Sequence, residues 1–156
     1  MNYFSALCTY LRDKADLLKV RPEQLFADID GTELKSGSWT MTEDGIHAMD
    51  FHYDGIITIE QLPGNRAATL FLLIMDWLAE HDELRWGLHL PGPTPTLVQH
   101  APGNDIYYVM VEIPFVDRFF LAADPDGYIT IDGTTYGLGD HTPAIAETGT
   151  VEGAPV

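Results

Sequence analysis

Between Met49 and Glu60 the chain alternates apolar and polar side chains without a break in phase. Met49, Phe51, Tyr53, Ile57 and Ile59 fall on one side, and Asp50, His52, Asp54, Thr58 and Glu60 on the other. Period-two alternation of this length describes a strand in a sheet with one dry and one wet face. The rest of the chain must cover that dry face. A shorter strand over Ser36–Thr42 turns into this one at Asp44-Gly45. Pro63-Gly64-Asn65 ends it, with Asn65 placed to cap a following helix.

Two helical patterns can supply the cover. Phe4, Leu7, Cys8, Leu11, Ala15 and Leu18 recur at helical spacing, with Asp13, Lys14 and Lys19 opposite, and Arg21-Pro22 ends the run. From Arg66 to about Glu83, Leu70, Leu73, Trp77 and Leu78 form one stripe while Phe71, Leu72 and Met75 occupy other faces. A helix apolar nearly all round needs covering on more than one side. Either the N-terminal helix and a loop do this internally, or a second subunit does.

Leu25 to Ile29 reads as a short strand closing on an Asp30-Gly31 turn. Asp105 to Leu121 is a second long strand, with Tyr107, Val109, Val111, Ile113 and Phe115 in alternation. Pro114 places it at a sheet edge or bends it there. A hairpin follows around Asp132-Gly133. Four prolines between Gly87 and Gly103 (Pro91, Pro93, Pro95, Pro102) predict an irregular surface loop, long enough to suggest a contact role. The order of elements gives an α+β fold: a mostly antiparallel sheet with two main helices packed on one face, in a single domain over residues 1–138. Residues 139–156 read as a flexible acidic tail, low in aromatic content and without periodicity.

Charge narrows the partners. Eight basic against 24 acidic residues give a formal charge of −16, a surface that repels phosphate backbones, so sequence-specific nucleic-acid binding is not expected. Cys8 is the only cysteine, cannot form an internal disulfide, and lies on the apolar stripe of the first helix, where it packs rather than reacts. No basic region leads into an apolar run at the N-terminus, so no signal peptide is expected. The longest apolar run, Ala67 to Met75, is too short to span a bilayer, so no membrane partner is expected.

Three clusters imitate chemical motifs. Asp28-Ile29-Asp30-Gly31-Thr32 spells the D-x-D-G-T of haloacid-dehalogenase-type phosphatases, where the first Asp is a nucleophile and Mg²⁺ bridges carboxylate and phosphate. That chemistry requires the end of a buried parallel strand, a distant lysine and a later acidic pair. Only Lys35 follows, too near, so a turn is the favoured reading. Asp124 to Ile129 imitates a calcium loop, but aligning Gly127 with the obligatory glycine puts Ala122 and Gly133 at the terminal ligand positions, and a hairpin turn explains it better. Asp50, His52 and Asp54 share one strand face, where a solvated surface is the simpler meaning. The chain contains no Walker loop, no G-x-G-x-x-G and no G-x-S-x-G. Neither a cofactor, a metal nor a catalytic residue is expected. A small Mg²⁺-dependent phosphatase using Asp28 and Asp30 and a monomeric acidic binding module or assembly chaperone remain as alternatives.

Taken in order, the positions resemble the tail completion protein R family of Peduovirus-type contractile-tailed phages. The first helix leads into Pro22-Glu23-Gln24-Leu25 and Phe26-Ala27-Asp28-Ile29-Asp30-Gly31. Tyr53-Asp54-Gly55-Ile56-Ile57-Thr58-Ile59-Glu60 is similar to that family's central strand. An apolar helix then closes on Trp77-Leu78-Ala79-Glu80-His81, and a late strand occupies Asp105 to Val116. The resemblance runs over roughly Met1 to Tyr136. It implies a tail terminator-like structural protein without catalytic residues. Such a protein caps the tail tube or sheath and offers the head-to-tail joining surface. It implies a hexameric ring, tail tube and sheath proteins and a head completion or neck protein as partners, and a place in the virion after assembly in the host cytoplasm. Phe71, Leu72 and Met75 on the second helix, with Leu97 and Val98 in the proline-rich segment, are then the candidate subunit or tube contacts.

Overall fold

A computed structural model describes residues 2–139. In chain order the elements are α1 (Asn2–Asp13), α2 (Ala15–Leu18), β1 (Leu25–Ser36), β2 (Met41–Thr42), β3 (Gly45–Pro63), α3 (Ala67–His81), α4 (Leu84–Gly87), β4 (Thr94–Gln99), β5 (Ile106–Ala123), β6 (Ile129–Ile131) and β7 (Thr134–Leu138). All strand pairs are antiparallel. The sheet runs β1-β3-β5-β7-β6, with β4 on β5 and β2 on β3. It curls into a half-barrel under the two main helices, as an α+β fold.

The alternation in β3 does what its period requires. Tyr53, Ile57 and Ile59 are buried, as are their β5 partners Phe115, Val111 and Val109, and α1 and α3 close over them. Leu7, Leu11 and Leu18 contribute from the N-terminal helices, and Leu70, Ile74, Trp77 and Leu78 from α3. Burying each such side chain contributes roughly 1.5–3 kcal/mol before entropy is subtracted. The buried stripe of α3 passes through Ile74, with Leu73 at its margin. A second, smaller core joins Ile46, Ala48 and Leu121 to Ile129, Ile131 and Tyr136 of the β6–β7 hairpin. The two cores are separated where a bulge between His47 and Met49 shifts the β3–β5 register.

Four local expectations are corrected. The segment with four prolines is not irregular throughout: Thr94 to Gln99 form β4 and pair with Tyr107 to Glu112. Asp30-Gly31 does not end a strand; β1 continues to Ser36 through a bulge between Asp30 and Glu33, with Gly31 at φ 62°. Of the expected second strand, Ser36 closes β1 and Met41 and Thr42 form β2, while Gly37, Trp39 and Thr40 bond to His47 and Ala48 of β3 without forming a strand. Pro114 is not on an edge strand, because β5 has partners on both sides. It falls where β4 has ended and β7 has not begun, so no ladder donor is lost on that side. The acidic tail expected over 139–156 lies, past Gly139, outside the described residues.

Candidate functional site

The face of the sheet turned away from the helices is acidic. Residues directly opposite share a face, so Asp28, Asp30 and Glu33 of β1 lie with Asp50 and Asp54 of β3 and Glu112 of β5. Lys35 and Arg118 are the basic side chains among them. Asp50 is tied down: the Nε2–H of His47 donates to its Oδ1 at 2.6 Å, Nδ1 of His47 accepts the Ser38 amide at 3.2 Å, and Arg118 Nε lies 3.5 Å from the same carboxylate oxygen. This assignment makes His47 a neutral orienting group between loop and strand. Asp50, His52 and Asp54 share this face, as their spacing requires, and the direct partners of Asp50 are His47 and Arg118.

Grooves complete the surface. One of about 410 Å³ runs between α1 and β1, lined by apolar Phe4, Cys8, Ala27 and Ile29 and by polar Ser5, Thr9, Arg12 and Asp28. At the opposite end Leu34, Trp39, Met49, Tyr128 and Leu138 line a shallower groove of about 320 Å³. It forms because β1 continues past its bulge and brings Leu34 opposite Phe51. This second groove is not legible in the sequence, where Asp30-Gly31 reads as the end of β1.

The five contact candidates fall on two separate elements. Leu72 is 67% exposed on the outer side of α3, flanked by half-buried Phe71 and Met75, and none of the three belongs to the core. Leu97 and Val98 are exposed on β4. The motif residues do not converge. Asp28 and Asp30 sit exposed on an antiparallel strand, where Asp30 Oδ1 accepts the Gly31 amide at 2.8 Å. Asp124 Oδ1 accepts the Asp126 amide at 2.9 Å, which makes that segment a turn. Among the described residues, no group of three or more His, Cys, Asp or Glu is placed to hold a metal ion. Among them, too, no helix is long and apolar enough to cross a membrane.

Sequence reasoning missed the buried polar groups, which brace the fold. Arg85 is 3% exposed; its Nε donates to Asp82 Oδ2 at 3.0 Å, and its two terminal nitrogens donate to the carbonyls of Pro91 and Pro114 at 2.6 and 2.5 Å. The guanidinium also lies 5.2 Å from the centre of the Phe115 ring. Arg85 thereby fills the gap between β4 and β7 on β5. Burial pushes the Asp82 carboxyl up and the Arg85 guanidinium down, each opposed by its partner. Beneath α1 the Tyr53 hydroxyl accepts the Phe4 amide at 3.4 Å and donates to Asp117 at 3.3 Å, and burial raises its pKa. Burial also pushes the Cys8 thiol up to about 12, so its position in the groove wall is one of packing.

Edges, grooves and an acidic sheet face are the equipment of a subunit that works by assembling with other proteins. The chain belongs to the P2 phage tail completion protein R (GpR) family, which it matches over residues 1–137. It is therefore a structural, non-enzymatic protein of the phage tail, with tail components as its partners. No curated protein and no solved structure matches it.

Proposed function

We propose that this tail completion protein is the terminator of the tail: copies close into a hexameric ring on the end of the tube or sheath and present the surface that the head joins. The observation that carries this reading is the acidic sheet face of Asp28, Asp30, Glu33, Asp54 and Glu112 in a member of a tail completion family. DNA leaving a head must pass such a ring without being held, and a carboxylate-lined wall repels phosphate. In six copies the formal charge is 6 × −16 = −96, most of it screened beyond about 8 Å at physiological salt. Phe71, Leu72 and Met75 on α3 are the proposed tube-side contacts, because a helix face this apolar standing outside the core needs a partner.

The test is electron microscopy of the full-length protein, alone at raised salt and mixed with unfinished tail tubes. Rings, and rings seated on one tube end, are the expected result. A chain that stays monomeric at high salt, at high concentration and beside tubes would end the terminator reading.

A further inference from the structure

Among the described residues β1, β2, β4 and β6 each pair with a single strand, and two of these edges, β1 on β3 and β4 on β5, are complementary in geometry. In an antiparallel strand the N–H and C=O of one residue point to the same side, and successive residues alternate. The His100 amide donates to Ile106, so residues 94, 96 and 98 turn their backbone groups toward β5. Pro95, Leu97 and Gln99 therefore face the open edge. Pro95 has no N–H to leave unpaired there, and Leu97 and Gln99 carry the free donors. On β1 the Leu25 carbonyl accepts Arg12 at 3.3 Å and the Leu25 amide donates to Pro22, so odd-numbered residues face that edge. Ala27 and Ile29 carry the next open groups.

Side-chain direction agrees with backbone direction. Leu97 lies opposite Val109, Ala27 opposite Ile57 and Ile29 opposite Gly55, all on the helix side of the sheet. A β4 strand laid along β1 of another copy can therefore bond through Leu97 and Gln99 while its Leu97 side chain enters the 410 Å³ groove beside α1. With the opposite parity, the same hydrogen bonds would turn Leu97 onto the acidic face instead.

Charge selects this pairing over its competitors. Residues 88–104 contain no Asp, Glu, Lys or Arg, in a chain of charge −16. Two β1 edges placed together would bring Asp28 and Asp30 of each copy near those of the other, and two β4 edges would leave the groove unfilled. β1 is also guarded as a monomeric edge should be, by its bulge and its charges, whereas all of β4 is exposed and uncharged. We propose that β4 of one copy adds to the Leu25–Asp30 portion of β1 in the next, with Leu97 seated in the α1–β1 groove. Strand direction alternates across β4-β5-β3-β1, so a copy in the same orientation presents β4 antiparallel to β1. Two different surfaces meet, and such a contact closes into a ring when the rotation closes. The inference rests on the ring proposed above and names its interface.

Full-length protein carrying Ile29→Cys and Leu97→Cys, with Cys8→Ala, tests it by mild oxidation under assembling conditions. A ladder of disulfide-linked dimers, trimers and larger species is expected, with no ladder from either single-cysteine variant. Leu97→Pro, which removes an outward N–H and the groove-filling side chain but none of the β4–β5 hydrogen bonds, should lower the assembled fraction about tenfold with the monomer's melting temperature kept. Rings that form without a ladder would overturn this interface and leave the terminator reading standing. Covalent dimers from Leu97→Cys alone, stopping at two, would replace it with a β4–β4 pair. Absence of any assembly, with tubes present, would remove both readings together.

Discussion

The ring of Phe4 rests on Gly55, so close that a Cβ added at Gly55 would fall inside ring contact distance of Cδ1 and Cε1. The central strand reaches its bare position where α1 crosses it, and Phe4 also meets Phe115 with ring centres 5.8 Å apart. This contact sets how near the N-terminal helix lies to the sheet. Gly55→Ala should therefore push α1 outward, with a loss of about 1–3 kcal/mol seen in denaturant unfolding. An unchanged midpoint would mean that α1 can shift freely, and that its spacing from the sheet is not set at Gly55.

Arg85→Ala should be more damaging. It leaves Asp82 buried without its cation and frees the carbonyls of Pro91 and Pro114, a loss of about 3–5 kcal/mol. Replacing both partners, Asp82→Asn with Arg85→Met, should recover part of that loss, because no uncompensated charge remains buried. Thermal melting of the two variants provides the comparison.

Alkaline pH should destabilise the protein in two overlapping steps. The Cys8 thiol is raised from 9.0 to about 12 and the Tyr3 hydroxyl from 10.0 to about 12, both chiefly by burial. Each folded-state pKa lies above its unfolded value. The stability linked to each group is thus complete below the unfolded pKa and is lost as pH rises toward the folded one. The slope is about 1.4 kcal/mol per pH unit for each group. Melting temperature should fall from about pH 9, and Cys8→Ala should delay the onset to about pH 10. Thiol reagents at pH 8 should leave the native protein unlabelled and react only on unfolding.

Association should strengthen with salt. Copies of charge −16 repel one another at low ionic strength, and screening removes that opposition while leaving apolar contact intact. Phe71→Asp should weaken binding to tubes while moving stability by about 1 kcal/mol or less, since Phe71 stands outside the core. A loss of several kcal/mol, seen by thermal melting, would instead put that ring inside the fold.

Much of this architecture could be read from periodicity. The alternation at Met49–Ile59 and Tyr107–Phe115 identified the two long strands and their dry face, and the helical spacing of Leu7, Leu11 and Leu18 identified their cover. β4 was illegible because Thr94-Pro95-Thr96-Leu97-Val98-Gln99 has no alternation of its own; its strand character comes from pairing with β5. β1 was cut short because Asp-Gly favours a turn as strongly as it tolerates a bulge, and only the neighbouring strand decides. Asp82 and Arg85 gave no signal at all, since a local charge pair says nothing about the carbonyls that will surround it. The open edge of β4 and the groove at Leu34 depend on such pairings, so the surface is the least predictable part of the molecule.

Arg85 meets β5 at Pro114, where β4 has ended and β7 has not begun, and past that stretch the smaller core begins. The consequence is a molecule with two tiers of cooperativity. The hairpin of β6 and β7 rests on a small core of its own, so it can open and reclose while the helices stay packed. Amide protons of Ile131 and Tyr136, which face each other's strand, should exchange at rates set by that local opening, and those of Ile57 and Val111 only with global unfolding. One end of the subunit can thus be reshaped by whatever docks there, at little thermodynamic risk to the rest.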